Sequence, residues 1–171
     1  MCLVYKVMKV DFRLLFIMGI ALLLGGQSLL GQSKKELKEQ KALEVKELIN
    51  SGRYTIEVDR AIPMNGKQVN LTSMYNLELR GDSAVSYLPY FGRAYTAPYG
   101  GGNGLRFDES IKDLELSYDK KGTAKVKFSV RTSEDNYTFN VQVFSNASAI
   151  INVTPVNKQG ITFYGDLILK K

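Results

Sequence analysis

The feature that most limits how this chain can fold is a strict two-residue hydrophobic alternation that recurs along most of its length. Tyr54, Ile56 and Val58 are apolar with polar residues between them, as are Tyr75, Leu77 and Leu79. Ala124, Val126, Phe128 and Val130 alternate with Lys125, Lys127, Ser129 and Arg131. Tyr137, Phe139, Val141 and Val143 alternate with Thr138, Asn140 and Gln142, and Ile161, Phe163, Leu167 and Leu169 close the chain. A period of two puts successive side chains on opposite faces of a strand, so these segments predict antiparallel strands with one face in a core and one in water. Turn-forming pairs separate them: Asn65-Gly66, Gly81-Asp82, Asp119 to Gly122, Ser133 to Asn136, and Asn157 to Gly160. About eight strands joined mostly by short turns make an up-and-down meander over residues 53–171. Such a sheet resolves its edges by curling into a barrel.

Residues 32–52 follow a different period. Ser33 with Glu36 has the form of a capping box, Leu37, Val45, Leu48 and Ile49 form a narrow apolar stripe, and Gly52 is a natural stop. This predicts one N-terminal helix packed on the sheet or across a barrel end.

Residues 1–31 read as a secretory signal. Lys6, Lys9 and Arg13 precede an apolar run from Leu14 to Leu24, too short for a membrane span of about twenty residues and within the 7–15 of a signal core. Cleavage is expected after Gly31, with Ser28 as the alternative site and Met8 as an alternative start. An uncut membrane anchor is the competing reading. The expected location is therefore periplasmic or secreted, with no transmembrane span in the mature chain.

Removing that segment takes away Cys2, the only cysteine, and the chain has no histidine. Disulfides, thiol nucleophiles, Ser–His–Asp arrangements and nearly all zinc sites drop out. Three of 23 basic residues and one of 17 acidic ones lie in the first 31, which leaves a net charge of +4 over the rest. That excess is dispersed and gives no nucleic-acid footprint. No cofactor or metal is implied. The carboxylates Asp108/Glu109, Asp113/Glu115 and Glu134/Asp135 are close in sequence, but alternation with Leu114 and Leu116 puts Asp113 and Glu115 on a solvent face. The Ser133–Asn136 stretch reads as a hairpin turn rather than a calcium loop. Carboxylate-dependent hydrolysis is thus the least favoured class, and the reading leans away from an enzyme.

One segment breaks the alternation. YLPYFGRAYTAPYGGGNG, residues 87–104, holds Tyr87, Tyr90, Phe91, Arg93, Tyr95 and Tyr99 between two prolines and a glycine-rich end. Aromatic rings give contact area at low entropic cost, and a guanidinium pairs bidentately with a carboxylate or phosphate. These six residues are the candidate ligand-binding set. The competing reading is a crossover whose aromatics plug a barrel end, with Arg93 satisfying buried carbonyls. A glycine-rich phosphate loop does not fit, since no Lys-Ser/Thr pair follows.

The same segment carries a resemblance. LPYFGRAYTAPYGGG (residues 88–102), followed by GLRFD (residues 104–108), resembles the signature of a family of exported proteins, mostly from Bacteroidota, catalogued as a domain of unknown function. The resemblance implies a lipocalin-like antiparallel barrel or strongly curved sheet, an envelope location and no established activity. A usual asparagine-arginine pair in the late turn is Asn157-Lys158 here. The expected function is a noncatalytic binding module for a small apolar or glycan-like ligand. The alternative is a structural or protein-interaction component of the bacterial envelope.

Overall fold

The computed structural model describes residues 33–96 and 104–169, so the signal segment and Tyr99 lie outside the described residues. Helix α1 occupies residues 33–50, and its residues from Gln40 on belong to the compact unit Gln40–Lys171. Eight strands follow: β1 (Arg53–Pro63), β2 (Val69–Arg80), β3 (Ser83–Leu88), β4 (Leu105–Tyr118), β5 (Ala124–Arg131), β6 (Asn136–Val143), β7 (Ser148–Pro155) and β8 (Ile161–Leu167). Each pairs antiparallel with the next, and β8 pairs with β1, so the sheet closes into a barrel. The protein is mainly β, as the alternation predicts, and the barrel form is realised rather than an open curved sheet.

Period two translates directly into burial. In β5 the residues alternate buried and exposed or half-buried, and β6, β7 and β8 do the same. The inward side chains fill the lumen. Phe128 and Phe139, opposite each other on β5 and β6, stack at 4.9 Å, and Phe163, Ile56, Leu77, Leu88, Leu105 and Ile151 are also fully buried. An eight-stranded barrel is just wide enough for side chains to fill it or for one small ligand to replace them. Here aromatic side chains occupy the middle.

At one end α1 covers the lumen. Val45 and Ile49 are buried in the barrel core and Leu48 packs beside them. Gly52, at a positive φ of 66°, ends the helical course, and its carbonyl accepts the Gly81 N–H of the β2–β3 turn at 2.8 Å. Tyr118 donates its hydroxyl to Asn50 Oδ1 at 2.7 Å and lies under the Lys46 amine. Leu37, assigned above to the apolar stripe, is exposed.

Two further corrections concern β3 and β4. Residues 83–88 form a strand, so Tyr87 and Leu88 belong to the sheet rather than to the irregular segment. In β4 the register shifts between Lys112 and Glu115, and Asp113 takes a positive φ of 55°. The bulge shifts the inward positions so that Leu116 lies opposite buried Val126, yet Leu114 and Leu116 are both exposed, contrary to the expectation that they are core residues. β3 has 6 residues between a β2 of 12 and a β4 of 14. It pairs with β2 over residues 76–79 and with β4 over residues 83–88, leaving the outer stretches of both neighbours beyond its reach.

Candidate functional site

In a meander the connections alternate between barrel ends. The β1–β2, β3–β4, β5–β6 and β7–β8 connections therefore share the rim opposite α1. This brings together stretches far apart in sequence: the turn at Asn65, the aromatic segment, Glu134 with Asp135, and the turn from Asn157 to Gly160.

Two buried charges organise this rim. Asp135 is 5% exposed. Its Oδ1 accepts the N–H groups of Asn136 at 2.8 Å and of Val156 and Asn157 at 3.1 Å, and its Oδ2 also accepts from Asn157. One carboxylate thus joins the β5–β6 turn to the β7–β8 turn. Lys158, also 5% exposed, donates from Nζ to Gly104 O and to the Tyr137 hydroxyl at 3.2 Å each, and stands 3.5 Å from Glu134 Oε2. The same amine lies 5.7 Å from the ring centroids of both Tyr90 and Tyr137. Burial pushes both phenols above their ordinary range, and for Tyr137 the Lys158 contact opposes that rise. Lys158 therefore sits inside the rim, not at its surface.

The aromatic segment is pinned to this frame. Tyr95 and Thr96 N–H both reach Asn157 O, at 2.8 and 3.4 Å. Gln159 N–H donates to Arg93 O at 3.0 Å, and Arg93 N–H donates to Gln159 Oε1 at 3.3 Å. Residues 93–95 thus lie as a short extra antiparallel strip against the β7–β8 turn, with Ala94 opposite Lys158. Tyr90 folds beneath the strip: its hydroxyl donates to Gln159 O at 2.9 Å, with Arg93 O as a second acceptor at 3.1 Å. Gly92 is required here, because a Cβ would collide with the Tyr90 phenol.

The five sequence-derived candidates among the described residues separate into roles. Tyr90 is a plug, half-buried and fully hydrogen-bonded. Tyr87, on the outer face of β3, stacks on Tyr75 of β2 at 5.5 Å and lies under the Arg106 guanidinium of β4 at 4.4 Å. Because β2 and β4 flank β3, these neighbours take its two ring faces. Phe91 is 40% and Tyr95 66% exposed, and Arg93 is exposed as well. Phe91 and Arg93, with Pro63, Met64, Asn65, Gly92 and Gln159, line an open cleft of about 570 Å³. Tyr95 lies outside that lining. The plug reading holds for Tyr90, but it is the Tyr90 hydroxyl, not the Arg93 side chain, that satisfies the rim carbonyls. The sequence reading missed Pro63, Met64, Asn65 and Gln159, whose only signal is membership of turns on the same end of a meander.

Acid–base chemistry finds little support in this arrangement. Both oxygens of Asp135 are committed to backbone N–H groups. Two carboxylates, Glu78 and Asp119, have displaced affinities. Both are displaced downward, Glu78 by its bond to Arg80 and Asp119 by the Thr123 N–H, whereas a general acid needs the reverse. No group of three or more metal-ligating side chains occurs among the described residues. Among them too, no helix is long and apolar enough to cross a membrane.

Residues 36–167 match the family described as "Domain of unknown function (DUF4251)". The chain belongs to the DUF4251 family. The match spans all but the first turn of α1 and all eight strands. A DUF4251 protein from Bacteroides eggerthii DSM 20697, known from a crystal structure, has the same fold at a TM-score of 0.61. Its identity to this chain is 18%, over 75% of this chain and 87% of that one. No curated protein matches the chain.

Proposed function

We propose that this protein is an exported, noncatalytic binding module whose ligand is held on the barrel rim opposite α1 rather than in the lumen. The observation that carries this reading is the exposure of Arg93, and of Phe91 just before it, at the start of a segment whose backbone is fixed to the β7–β8 turn by four hydrogen bonds. Binding residues on a loop held by a rigid scaffold lose little entropy when a ligand arrives. The lumen is a poor alternative, because Phe128, Phe139 and Phe163 occupy it. The signal-like residues 1–31 support a periplasmic or secreted location. A small glycan-like ligand suits the cleft, which has the dimensions of a small-molecule site.

A second reading, contact with a protein partner of the envelope, is favoured by one observation. Among the described residues of the segment, Tyr95 is the most exposed aromatic, and it is not part of the cleft lining. Native mass spectrometry of the protein purified from its own host tests both readings. A co-purifying mass lost on Arg93→Ala supports rim binding. A small-molecule mass supports the cleft, and a protein mass lost on Tyr95→Ala supports the partner. Retention of the bound mass in folded Arg93→Ala and Tyr95→Ala variants sinks the rim reading, and N-terminal sequencing that finds Met1 or Met8 intact on the mature protein sinks export.

A further inference from the structure

The polar lining of the rim cleft is one-sided. Asn65 Oδ1 accepts the Lys67 N–H at 3.0 Å, so the free end of that amide is its NH₂ group. Gln159 Oε1 accepts the Arg93 N–H at 3.3 Å, leaving its NH₂ free in turn. These two bonds fix the amide orientations, since flipping either would set donor against donor. The third polar side chain is Arg93, which can only donate and has no ion-pair partner among the described residues. Three of the lining backbone carbonyls are engaged as well: Pro63 O by Gly66 N–H, Gln159 O by the Tyr90 hydroxyl, and Arg93 O by Gln159 N–H. Among the described residues, no carboxylate lines the cleft. Its remaining surface, from Pro63, Met64 and Phe91, is apolar.

We infer that the cleft selects a ligand bearing an oxyanion on a compact ring or apolar body, of which an acidic or phosphorylated sugar is the type. The inference rests on the rim-binding reading and names its ligand class. A neutral sugar hydroxyl both gives and accepts hydrogen bonds, whereas the free polar ends of the lining side chains are all donors. A carboxylate or phosphate only accepts, and it matches a guanidinium flanked by two amide NH₂ groups. Phe91 provides the face on which a sugar ring stacks, with Met64 and Pro63 beside it.

Nuclear magnetic resonance titration of the purified protein tests this directly. The side-chain signals of Asn65, Gln159 and Arg93 Nε are followed against glucuronate, glucose 6-phosphate, glucose and inorganic phosphate. Glucuronate and glucose 6-phosphate are expected to shift all three signals and to bind at least about tenfold more tightly than glucose. Arg93→Gln should remove that tenfold preference while the remaining spectrum stays that of the folded protein. Inorganic phosphate binding as tightly as the sugar phosphate supports oxyanion recognition with the free anion as its source. Glucose moving the same signals at the same affinity overturns the charge selectivity and leaves rim binding standing. Four probes that move none of the three signals overturn the inference, while the host-purified complex continues to judge the rim itself.

Discussion

Replacing Asp135 with alanine should cost the protein about 3 kcal/mol of folding free energy, which follows from what the carboxylate touches. Three backbone N–H groups converge on it, those of Asn136, Val156 and Asn157, at 2.8–3.1 Å. The site is 5% exposed, so water has little room to take the carboxylate's place. A buried donor left without a partner costs roughly 1–3 kcal/mol. Val156 N–H keeps its bond to Asn136 O at 3.1 Å, so two donors are stranded. They give a sum of roughly 2–6 kcal/mol, and the native protein's cost of burying the charge, which alanine avoids, brings the net to about 3 kcal/mol. A domain of this size has a total stability of roughly 5–15 kcal/mol, so the variant should remain folded but lose a large share of its margin. Urea unfolding is the assay: the midpoint should fall while the slope with denaturant stays constant. Asp135→Asn retains the acceptor that serves all three N–H groups and should cost about half as much. An alanine variant within about 0.5 kcal/mol of the native protein would refute the reasoning, because it would mean that the rim turns find other partners. An asparagine variant as unstable as the alanine one would refute it differently, by making the charge and not the acceptor the stabilising element. The effect should reach the rim strip too, since Asn157, which Asp135 holds through its N–H, offers its carbonyl to Tyr95 and Thr96.

Three other outcomes follow. Gly165→Ala should cost about 3 kcal/mol or more, since a Cβ there meets the Glu57 carbonyl and Val58 backbone where β8 closes on the β1 bulge. A melting temperature within about 3 °C of native would contradict this close approach. Tyr54→Phe should stabilise the protein by about 1 kcal/mol, because the Tyr54 hydroxyl is buried without a hydrogen-bond partner. Burial raises this phenol's proton affinity above its ordinary value of 10.0, so its contribution is intact below that pH and is lost as unfolded tyrosine ionises above it. The variant should accordingly resist alkaline unfolding to a higher pH, and an unchanged alkaline midpoint would count against the burial argument. Asp119 accepts the N–H groups of Lys121 and Thr123 in the β4–β5 turn, chiefly the latter, which holds its affinity below the ordinary 3.8. Its stabilisation is complete above 3.8 and fades as pH falls through the lowered value, so amide exchange in that turn should accelerate, relative to the intrinsic rate, only at the acid end.

Much of the barrel was legible because it rests on local periodicity. In β5 through β8 each inward residue is named by its neighbours two positions away, and pairing adds little to what alternation says. Legibility failed where one strand depends on another. The bulge at Asp113 has no signature in the run Asp113-Leu114-Glu115-Leu116, which alternates on paper, and only the pairing to β5 shows the shift. Residues 83–88 were overlooked because Tyr87 and Leu88 run into the prolines and glycines that follow, which obscured the strand's end. At the rim, composition singled out the aromatic segment but could not assign roles within it. Tyr90 and Phe91 are adjacent and chemically alike, and only the fold over Gly92 makes one a plug and the other a wall. Asp135 was hidden for a related reason. In sequence it is one acid in a polar turn, and its partners Val156 and Asn157 lie a hairpin away.

The brevity of β3 bears on where the rim inherits its stiffness. A six-residue stave between longer ones carries the fewest ladder bonds of its sheet, so it is the stave along which the barrel wall yields first. The aromatic strip leaves the chain from this stave, and by continuity alone it would share its compliance. Its hydrogen bonds instead run to Asn157 and Gln159, at the tip of the β7–β8 hairpin, across the barrel mouth from where it is tethered. The strip thus takes its position from a hairpin more than fifty residues downstream. Substitutions in β7 and β8 should reshape the cleft while changes in β3 leave it in place, so the binding surface and the wall it grows from are free to vary independently.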